Sequence, residues 1–294
     1  MLEKPSYFAG VDGGGTKCRA QVFDAQGTLI GTGVAGPANV ARSEDVARQS
    51  IVDAVCEAFR EAGQSPQGKL EKTAVGAGLA GANLPSASRS LKRWVHPFAD
   101  FDFTSDLHAA TLGAHGGGNG AVLVVGTGSC AAALYDGALR QYGGHGFMLG
   151  DKGSGAWMGR SAVVHTLEAL DGVAEAGALA EAVCRHYDCH SATEIVDKLN
   201  NAPPAWFGQL APVIFSLADT QDADATAIIQ HGADYLSVIA QKAVATSQGS
   251  LVMVGGVADA IVPFLSQAVQ QVIVPAANGP EWGAVHYLHS LRQD

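Results

Sequence analysis

The fold is decided by two stretches of the sequence, YFAGVDGGGTKCRAQVF at residues 7–23 and AVLVVGTGSCAAALY at residues 121–135. Each begins with a short apolar run, passes through a glycine-rich turn and continues into a second β-prone run. A further turn leads to a third such run, at 28–34 in the first half and 138–142 in the second. Short β-prone runs joined by tight turns predict a meander of strands. The recurrence predicts two similar α/β lobes, each opening with a hairpin that suits phosphate.

The boundary between the two lobes is predicted at the glycine stretch of residues 116–120. We therefore assign 1–115 to an N-terminal lobe and 116–294 to a C-terminal lobe. Beyond the second meander, most segments carry apolar residues at helical spacing. A terminal helix at about 280–292 could pack back on the first lobe, and the aromatic pair at 206–207 is expected to bury a loop.

Composition and charge restrict the class of protein. Of the 294 residues, 47% are apolar and 16% charged, which is too apolar for a disordered chain. The net charge of −10 argues against nucleic-acid and anionic-membrane partners, since both need a basic surface, although a local basic patch could escape this average. The sequence has no signal-peptide pattern and no apolar run near the ~18 residues of a membrane helix. Five cysteines without a CxxC pair are typical of a reduced protein, so we expect a cytoplasmic one.

Three strand-to-glycine junctions are suited to bind a nucleotide. They are Asp12-Gly13-Gly14-Gly15-Thr16, Gly126-Thr127-Gly128-Ser129 and Gly255-Gly256. Glycine lets the backbone approach phosphate closely, and Thr or Ser hydroxyls add donors. The Walker A spacing does not fit, because Thr16 precedes Lys17. A dinucleotide fingerprint fits poorly too, because the turn at Asp136 comes too soon for the helix it requires. Nucleotide binding without hydride transfer is therefore favoured.

Three aspartates lie where a phosphate-transfer site needs acids. Asp12 ends the first strand beside the first glycine cluster, where a hard divalent cation would bridge to phosphate through water. Asp106 ends another strand directly before a helix, at the carboxyl edge where open α/β sheets build sites. Asp151 lies in a glycine-rich loop. The pattern leaves a second role open for Asp106 and Asp151, which is N-capping of the helices that follow them.

Together these motifs resemble those of the BadF/BadG/BcrA/BcrD-type ATPases in the actin-like ATPase superfamily, and most closely those of glucosamine and N-acetylglucosamine kinases. The matching pieces run in the expected order from residue 10 to about residue 285. They include Gly36-Pro37-Ala38-Asn39, Leu79-Ala80-Gly81, Ser105-Asp106, Gly150-Asp151-Lys152-Gly153-Ser154-Gly155 and Val252-Met253-Val254-Gly255-Gly256-Val257. The resemblance implies an α/β fold of two RNase H-like lobes with an interlobe cleft.

Position by position, the resemblance implies an ATP:hexosamine 6-phosphotransferase that uses ATP and Mg²⁺ and forms a homodimer. Asp106 would be the general base at the sugar 6-hydroxyl, and Asp12 would position Mg²⁺ through water. The residues that would hold the nucleotide are Asp12, Gly13, Gly14, Gly15, Thr16, Lys17, Gly126, Thr127, Gly128, Ser129, Gly255 and Gly256. Those that would bind the amino sugar are Asn39, Asp106, Gly144, His145, Gly146 and Asp151.

Several alternatives stay open at this point. Cys130 stands where animal-type N-acetylglucosamine kinases carry Asn, so both glucosamine and its N-acetyl form remain candidate substrates. An activator ATPase of the 2-hydroxyacyl-CoA dehydratase or benzoyl-CoA reductase type shares the fold, but it needs cysteines for a [4Fe–4S] cluster between two subunits. Cys130, Cys184 and Cys189 form no convincing cluster pair. The run from Cys184 through His186 to His190 matches no standard zinc spacing, which favours a helix end. A sugar sensor without catalysis is a third possibility.

Overall fold

The computed structural model describes residues 4–292, and this range contains nine strands and twelve α-helices. The strands are β1 (Tyr7–Gly13), β2 (Cys18–Asp24), β3 (Leu29–Ala35), β4 (Thr73–Leu79), β5 (Asp100–Ser105), β6 (Gly120–Val125), β7 (Ser129–Tyr135), β8 (Ala138–Gly143) and β9 (Leu251–Val254). The helices are α1 (Glu44–Glu61), α2 (Pro85–Leu91), α3 (Asp106–Ala114), α4 (Gly155–Leu170), α5 (Ala178–Tyr187), α6 (Ala192–Leu199), α7 (Pro204–Gly208), α8 (Ala211–Asp219), α9 (Ala223–Ser247), α10 (Ala258–Ile261), α11 (Gln267–Gln270) and α12 (Pro280–Ser290). None of these helices has the length and apolarity needed to span a bilayer.

The chain divides into two compact units. Unit 1 contains the described residues up to Asn119 together with those from Ala276 onward, and unit 2 is Gly120–Pro275. The glycine stretch before Gly120 belongs to unit 1 because it ends α3, where the Gly117 amide donates to a carbonyl of the last helical turn at 2.8 Å. The division therefore falls slightly after the predicted boundary at 115, and α12 is part of unit 1.

Unit 1 is built on a five-stranded sheet in the order β3-β2-β1-β4-β5. The first three strands form the predicted antiparallel meander, and β4 and β5 run parallel to β1. Asp12 lies beside Gly78 in this register, and Leu79 lies beside Ser105. Since the carboxyl ends of parallel strands share one edge of a sheet, Asp12 and the residue that follows β5 are brought to the same edge.

Helices cover both faces of the unit 1 sheet. On one face the buried side chains of α1 join those of the strands in a single hydrophobic core. On the other face α12 lies unusually close, because a Cβ atom would fall 1.8 Å from an α12 carbonyl oxygen at Gly10 and 2.1 Å from one at Gly76. Two more glycines, Gly113 and Gly283, allow α3 and α12 the same close approach. We call these four residues the α12 glycines; larger side chains there would force the elements apart.

Unit 2 repeats the arrangement with a four-stranded sheet in the order β8-β7-β6-β9. Again three strands form an antiparallel meander and the fourth, β9, runs parallel to the first. The prediction of two similar α/β lobes is thus confirmed. The prediction of a loop at 206–207 is wrong. Both residues belong to α7, in which Phe207 is buried, and α8 follows directly. Both short helices carry proline in the first turn, where its missing N–H costs nothing.

Candidate active site

The first glycine hairpin joins β1 to β2 in unit 1. The Gly14 amide donates to the Lys17 carbonyl at 2.9 Å, which closes the turn. The amides of Ala38 and Ala80 donate to carbonyls of the hairpin at 2.9 and 2.8 Å, so two neighbouring loops hold it in place. The exposed residues of its tip are Gly15, Thr16 and Lys17. The base of the hairpin is therefore held by hydrogen bonds from two loops, while its tip is accessible to an anion.

Asp12 lies just below this hairpin with a half-buried side chain, paired across the strands with Arg19. Its pKa is raised to about 6. Burial is the largest cause, followed by the negative charges of Glu281 and Asp106. The positive charges of Lys17 and Arg19 lower it. A carboxylate among other carboxylates attracts a cation, because a positive charge relieves the repulsion between them.

Asp106 is the first residue of α3, at the carboxyl end of β5. The N-cap of this helix is Ser105, whose Oγ accepts from the His108 amide at 3.1 Å, so the alternative capping role for Asp106 is wrong. Asp106 Oδ1 accepts from the Leu107 amide at 2.9 Å. Burial raises the pKa of Asp106, and backbone hydrogen bonds lower it. A half-buried carboxylate with a raised pKa, in a residue that is not the N-cap, is suited to take up a proton.

Asn39 lies in the loop that supports the first hairpin. Its Oδ1 accepts from the amides of Ala41 at 3.0 Å and Arg42 at 3.2 Å. The neighbouring Gly81 is required here, since its φ is +81° and a Cβ would come within 3.1 Å of Asn39 Oδ1. Because the oxygen is used within the turn, the amide nitrogen is the atom that can donate to a ligand.

The second glycine hairpin joins β6 to β7 in unit 2 and is bound to the loop before α4. The Gly155 amide donates to the Gly126 carbonyl at 2.8 Å, and Ser129 Oγ donates to the Lys152 carbonyl at 2.9 Å. The N-cap of α4 is Ser154, so the capping role considered for Asp151 is wrong as well. The start of a 16-residue helix beside the hairpin supplies partial positive charge suited to phosphate.

Asp151 connects this hairpin to the loop after β8. Its Oδ1 accepts from the Gly146 amide at 3.3 Å, and Oδ2 is 2.9 Å from where a Cβ on Gly128 would lie. Burial raises the pKa of Asp151. The amides of Gly146 and Ser129 and the charge of His145 lower it. The predicted unit 2 sugar residues are thus brought together beside Gly128, with Gly144, His145 and Gly146 exposed.

Gly255 and Gly256 follow β9 and lie against the second hairpin. Gly255 has a φ of +112°, and a Cβ there would come within 2.3 Å of the Val125 carbonyl oxygen. The Val257 amide donates to the same oxygen at 3.0 Å. A cavity of about 410 Å³ opens at this point, within the size range of small-molecule sites. Its lining residues are Gly126, Thr127, Gly155, Gly208, Ala211, Pro212, Phe215, Gly256, Val257 and Ala260.

One residue of the unit 2 site was not predicted from the sequence. Tyr235 of α9 places its hydroxyl 2.8 Å from where a Cβ on Gly143 would lie, and Gly143 pairs across the strands with Cys130. Burial raises the pKa of Tyr235, with smaller contributions from Asp151 and Cys130. The Ala/Ile-rich pattern of α9 marks a buried helix and gives no signal for this tyrosine.

A second unpredicted residue, Glu281, lies in the first turn of α12. It is 1% exposed and pairs with Arg19, with Nη1 2.9 Å from Oε1. Pro280 marks the start of this helix in the sequence. No local pattern links position 281 to position 19, so the contact could not be predicted.

Within residues 4–292, no group of three or more His, Cys, Asp or Glu side chains is arranged to hold a metal ion. The Cys184–His190 segment ends α5, and the buried Cys189 donates to the Tyr187 carbonyl at 3.4 Å.

Three comparisons identify relatives of this chain. A glucosamine kinase of Vibrio cholerae is 34% identical over 293 residues, which cover 98% of this chain and 99% of the relative. The structure of a proposed N-acetylglucosamine kinase from Chromobacterium violaceum aligns with a TM-score of 0.89 and 30% identity, covering 97% and 99% of the two chains. A ROK family glucokinase from Streptomyces griseus, in complex with glucose and AMPPNP, aligns with a TM-score of 0.52 and 16% identity over 98% of this chain and 100% of its own. The last likeness concerns the fold alone.

The two α/β lobes and these neighbours define an actin-like ATPase fold. Residues 9–285 match the model of the BadF/BadG/BcrA/BcrD ATPase family, and the chain belongs to this family.

Proposed function

We propose that the chain is an ATP-dependent amino-sugar kinase that phosphorylates the 6-hydroxyl of glucosamine or N-acetylglucosamine. Near full-length similarity to a glucosamine kinase supports the substrate class. The observation that carries the proposal is the placement of Asp106. It lies at the carboxyl edge of the unit 1 sheet, close enough for its charge to act on Asp12, and it is not the N-cap of α3.

Asp106 is proposed as the general base. The sugar 6-oxygen forms a bond to the γ-phosphorus while the bond to the bridging oxygen breaks, ADP leaves, and Asp106 takes the hydroxyl proton. Little covalent help is needed in phosphoryl transfer, so positioning and charge neutralisation supply most of the rate. General-base help typically adds ~10²–10⁴-fold. Burial raises the pKa of Asp106, which makes it a better proton acceptor than an exposed aspartate.

For the nucleotide, we propose that the glycine hairpins bind the phosphates and the 410 Å³ cavity of unit 2 binds the nucleoside. The apolar walls of Pro212, Phe215 and Val257 suit the faces of a purine ring. Thr127 lines this cavity together with Gly155, the first residue of α4. The exposed tip of the first hairpin, with Thr16 and Lys17, would bind phosphate oxygens.

For the cation, Asp12 would hold hydrated Mg²⁺ through water. The donor set fits, since carboxylate oxygen is a ligand type that this cation prefers and burial among other acids favours a positive charge. When bound, Mg²⁺ neutralises charge on the transferred phosphate.

For the sugar, we propose contacts from each unit separately. In unit 1 the Asn39 amide nitrogen would donate to a hydroxyl, and Asp106 would accept from the 6-hydroxyl. In unit 2 Asp151 would accept from another hydroxyl, with the exposed backbone at 144–146 beside it. Tyr235 lies close enough to Asp151 for their charges to interact, so its hydroxyl is a further candidate contact.

An ADP-release assay coupled to NADH oxidation tests the proposal on a panel of glucose, mannose, glucosamine, N-acetylglucosamine, N-acetylmannosamine and N-acetylmuramate. We expect ADP release only with the two glucosamine forms, and a phosphorus NMR signal of the product that is split by the two protons at carbon 6. ADP release without any sugar, from a brown and oxygen-sensitive preparation, would instead support the activator ATPase. Sugar binding without turnover would support a sensor. The proposed homodimer is tested by light scattering on the same preparation.

A further inference from the structure

Glu281 is the one acidic residue among the buried side chains of residues 4–292. Carboxylates are almost never fully buried unless they are paired. Here the pairing is incomplete: Oε1 accepts from Arg19 Nη1 at 2.9 Å, whereas Oε2 is buried and has no hydrogen-bond partner within the described chain. A buried oxygen of a charged group without a donor is costly, so it needs an explanation.

The position of Glu281 connects it to the proposed nucleotide site. Its partner Arg19 is the cross-strand neighbour of Asp12. Gly10, two residues before Asp12 on the same face of β1, lies directly under the Glu281 carbonyl. Since residues two apart on a strand share a face, Asp12, Arg19 and Glu281 all lie on the face of the sheet that α12 covers.

Gly279 lies beside the unpaired oxygen. A Cβ on Gly279 would lie 2.8 Å from Glu281 Oε2 and would meet no other residue so closely. Gly279 has a φ of −80°, which any residue adopts, so backbone conformation does not require a glycine there. A side chain at position 279 would instead crowd the Oε2 side of the carboxylate.

We infer that Glu281 is a positioning residue of the magnesium–nucleotide site: Oε1 pairs with Arg19, and Oε2 would accept a hydrogen bond from a water of a hydrated cation held at Asp12. This inference rests on the proposed function, which assigns the cation to Asp12. Carboxylates of this kind orient the groups that contact a metal, and their loss typically lowers metal affinity ~10–100-fold.

The test measures Mn²⁺ binding to the protein–ADP complex by electron paramagnetic resonance, together with ADP binding in EDTA by calorimetry. For Glu281→Gln, which keeps the shape and removes the charge, we expect Mn²⁺ affinity to fall about tenfold, with metal-free ADP affinity unchanged. Gly279→Ala, which crowds Oε2 and keeps the carboxylate, should lower Mn²⁺ affinity in the same direction. It provides the test if Glu281→Gln does not fold.

Arg19→Gln distinguishes a role of Glu281 at the cation from a role limited to its ion pair with Arg19. If Glu281 only holds Arg19, both substitutions should weaken Mn²⁺ binding alike. If the inference is right, Arg19→Gln should leave Mn²⁺ affinity unchanged or raise it, because it removes a positive charge near the cation. Asp100→Asn is the matched control, since it breaks the ion pair with Arg292 beyond the other end of α12 and should change neither measurement.

The outcomes distinguish the inference from the proposed function. Absence of Mn²⁺ binding to wild-type protein with ADP would overturn both. Wild-type binding with unchanged affinity in Glu281→Gln and Gly279→Ala would overturn the inference alone.

Discussion

The two glycine hairpins share one topology and differ in the second residue pair below the turn. In unit 1 the second pair from the turn is Asp12 with Arg19, and in unit 2 it is Val124 with Cys130. The first hairpin therefore has charged groups beneath it, with Asp106 at the same sheet edge. The second has an apolar cavity and a helix start beside it. Under the proposed function, the repeated fold would supply a phosphate-binding backbone twice. The side chains would then divide the roles, with proton and cation chemistry in unit 1 and nucleoside binding in unit 2.

The strongest test of this division is Asp106→Asn in unit 1. We expect turnover to fall ~10²–10⁴-fold, because the amide cannot accept the hydroxyl proton. Nucleotide and sugar affinity by calorimetry should stay within about threefold of wild type, since an isosteric side chain leaves most binding interactions in place. The raised pKa of Asp106 further predicts that wild-type kcat declines on acidification at a pH above the ordinary range of aspartate. Turnover near the wild-type rate would remove Asp106 from the chemistry.

A smaller effect, on binding alone, is expected from Gly256→Val in unit 2. No atom lies within 4 Å of a Cβ built at Gly256, so the new side chain would occupy cavity space without straining the fold. We expect the KM for ATP to rise about tenfold, equivalent to about 1.4 kcal/mol, with kcat and the sugar KM unchanged. Gly177→Val is the control, because Gly177 is also in unit 2 and does not line the cavity. A change in kcat with unchanged ATP affinity would contradict the assignment of unit 2 to nucleoside binding.

A third effect, of similar size in free energy, concerns stability and charge beneath the first hairpin. The pKa of Asp12 is about 6 in the folded chain against an ordinary 3.8, so the folded state binds this proton more tightly than the unfolded state. The free energy of unfolding should therefore decrease as pH rises from about 4 to 6. Asp12→Asn has no carboxyl group to ionise, so this decrease in the free energy of unfolding should be absent. Since the side chain is half-buried, we expect a gain of roughly 1–2 kcal/mol at pH 8, or ~2–6 °C in Tm.

Thermal scans at pH 4 and pH 8 measure this gain. The difference between Asp12→Asn and wild type should shrink toward the lower pH, where the wild-type carboxyl is already protonated. Destabilisation of Asp12→Asn at pH 8 would mean that the carboxylate contributes more through Arg19 and Lys17 than it loses through burial.

The sequence was sufficient for the features that depend on local pattern. Alternating apolar residues and glycine turns predicted both meanders, and the ends of their strands located Asp12 and the second hairpin. Helix caps were harder, because Ser105 and Asp106 are both good N-cap residues and only the backbone geometry decides between them. The same holds for Ser154 and Asp151.

Features that depend on contacts distant in sequence could not be predicted. Glu281 forms an ion pair with Arg19, which is distant from it in sequence. Tyr235 lies in the middle of a long apolar helix and places its hydroxyl beside Gly143 in the unit 2 site. The helices α7 and α8 were missed for a different reason. They are short and begin with prolines, which in a single sequence mark a turn as readily as a helix start.

The α12 glycines have a consequence for biosynthesis. Unit 1 is a host domain interrupted by unit 2 as an insert, and the helix that seals its second face comes from the far side of that insert. During translation unit 2 emerges completely before α12 does. It can therefore fold while Gly10 and Gly76 of the unit 1 sheet are not yet covered by α12. The glycines fit this order, because the absence of side chains at Gly10 and Gly76 lets a late helix dock without rearranging strands that have already paired.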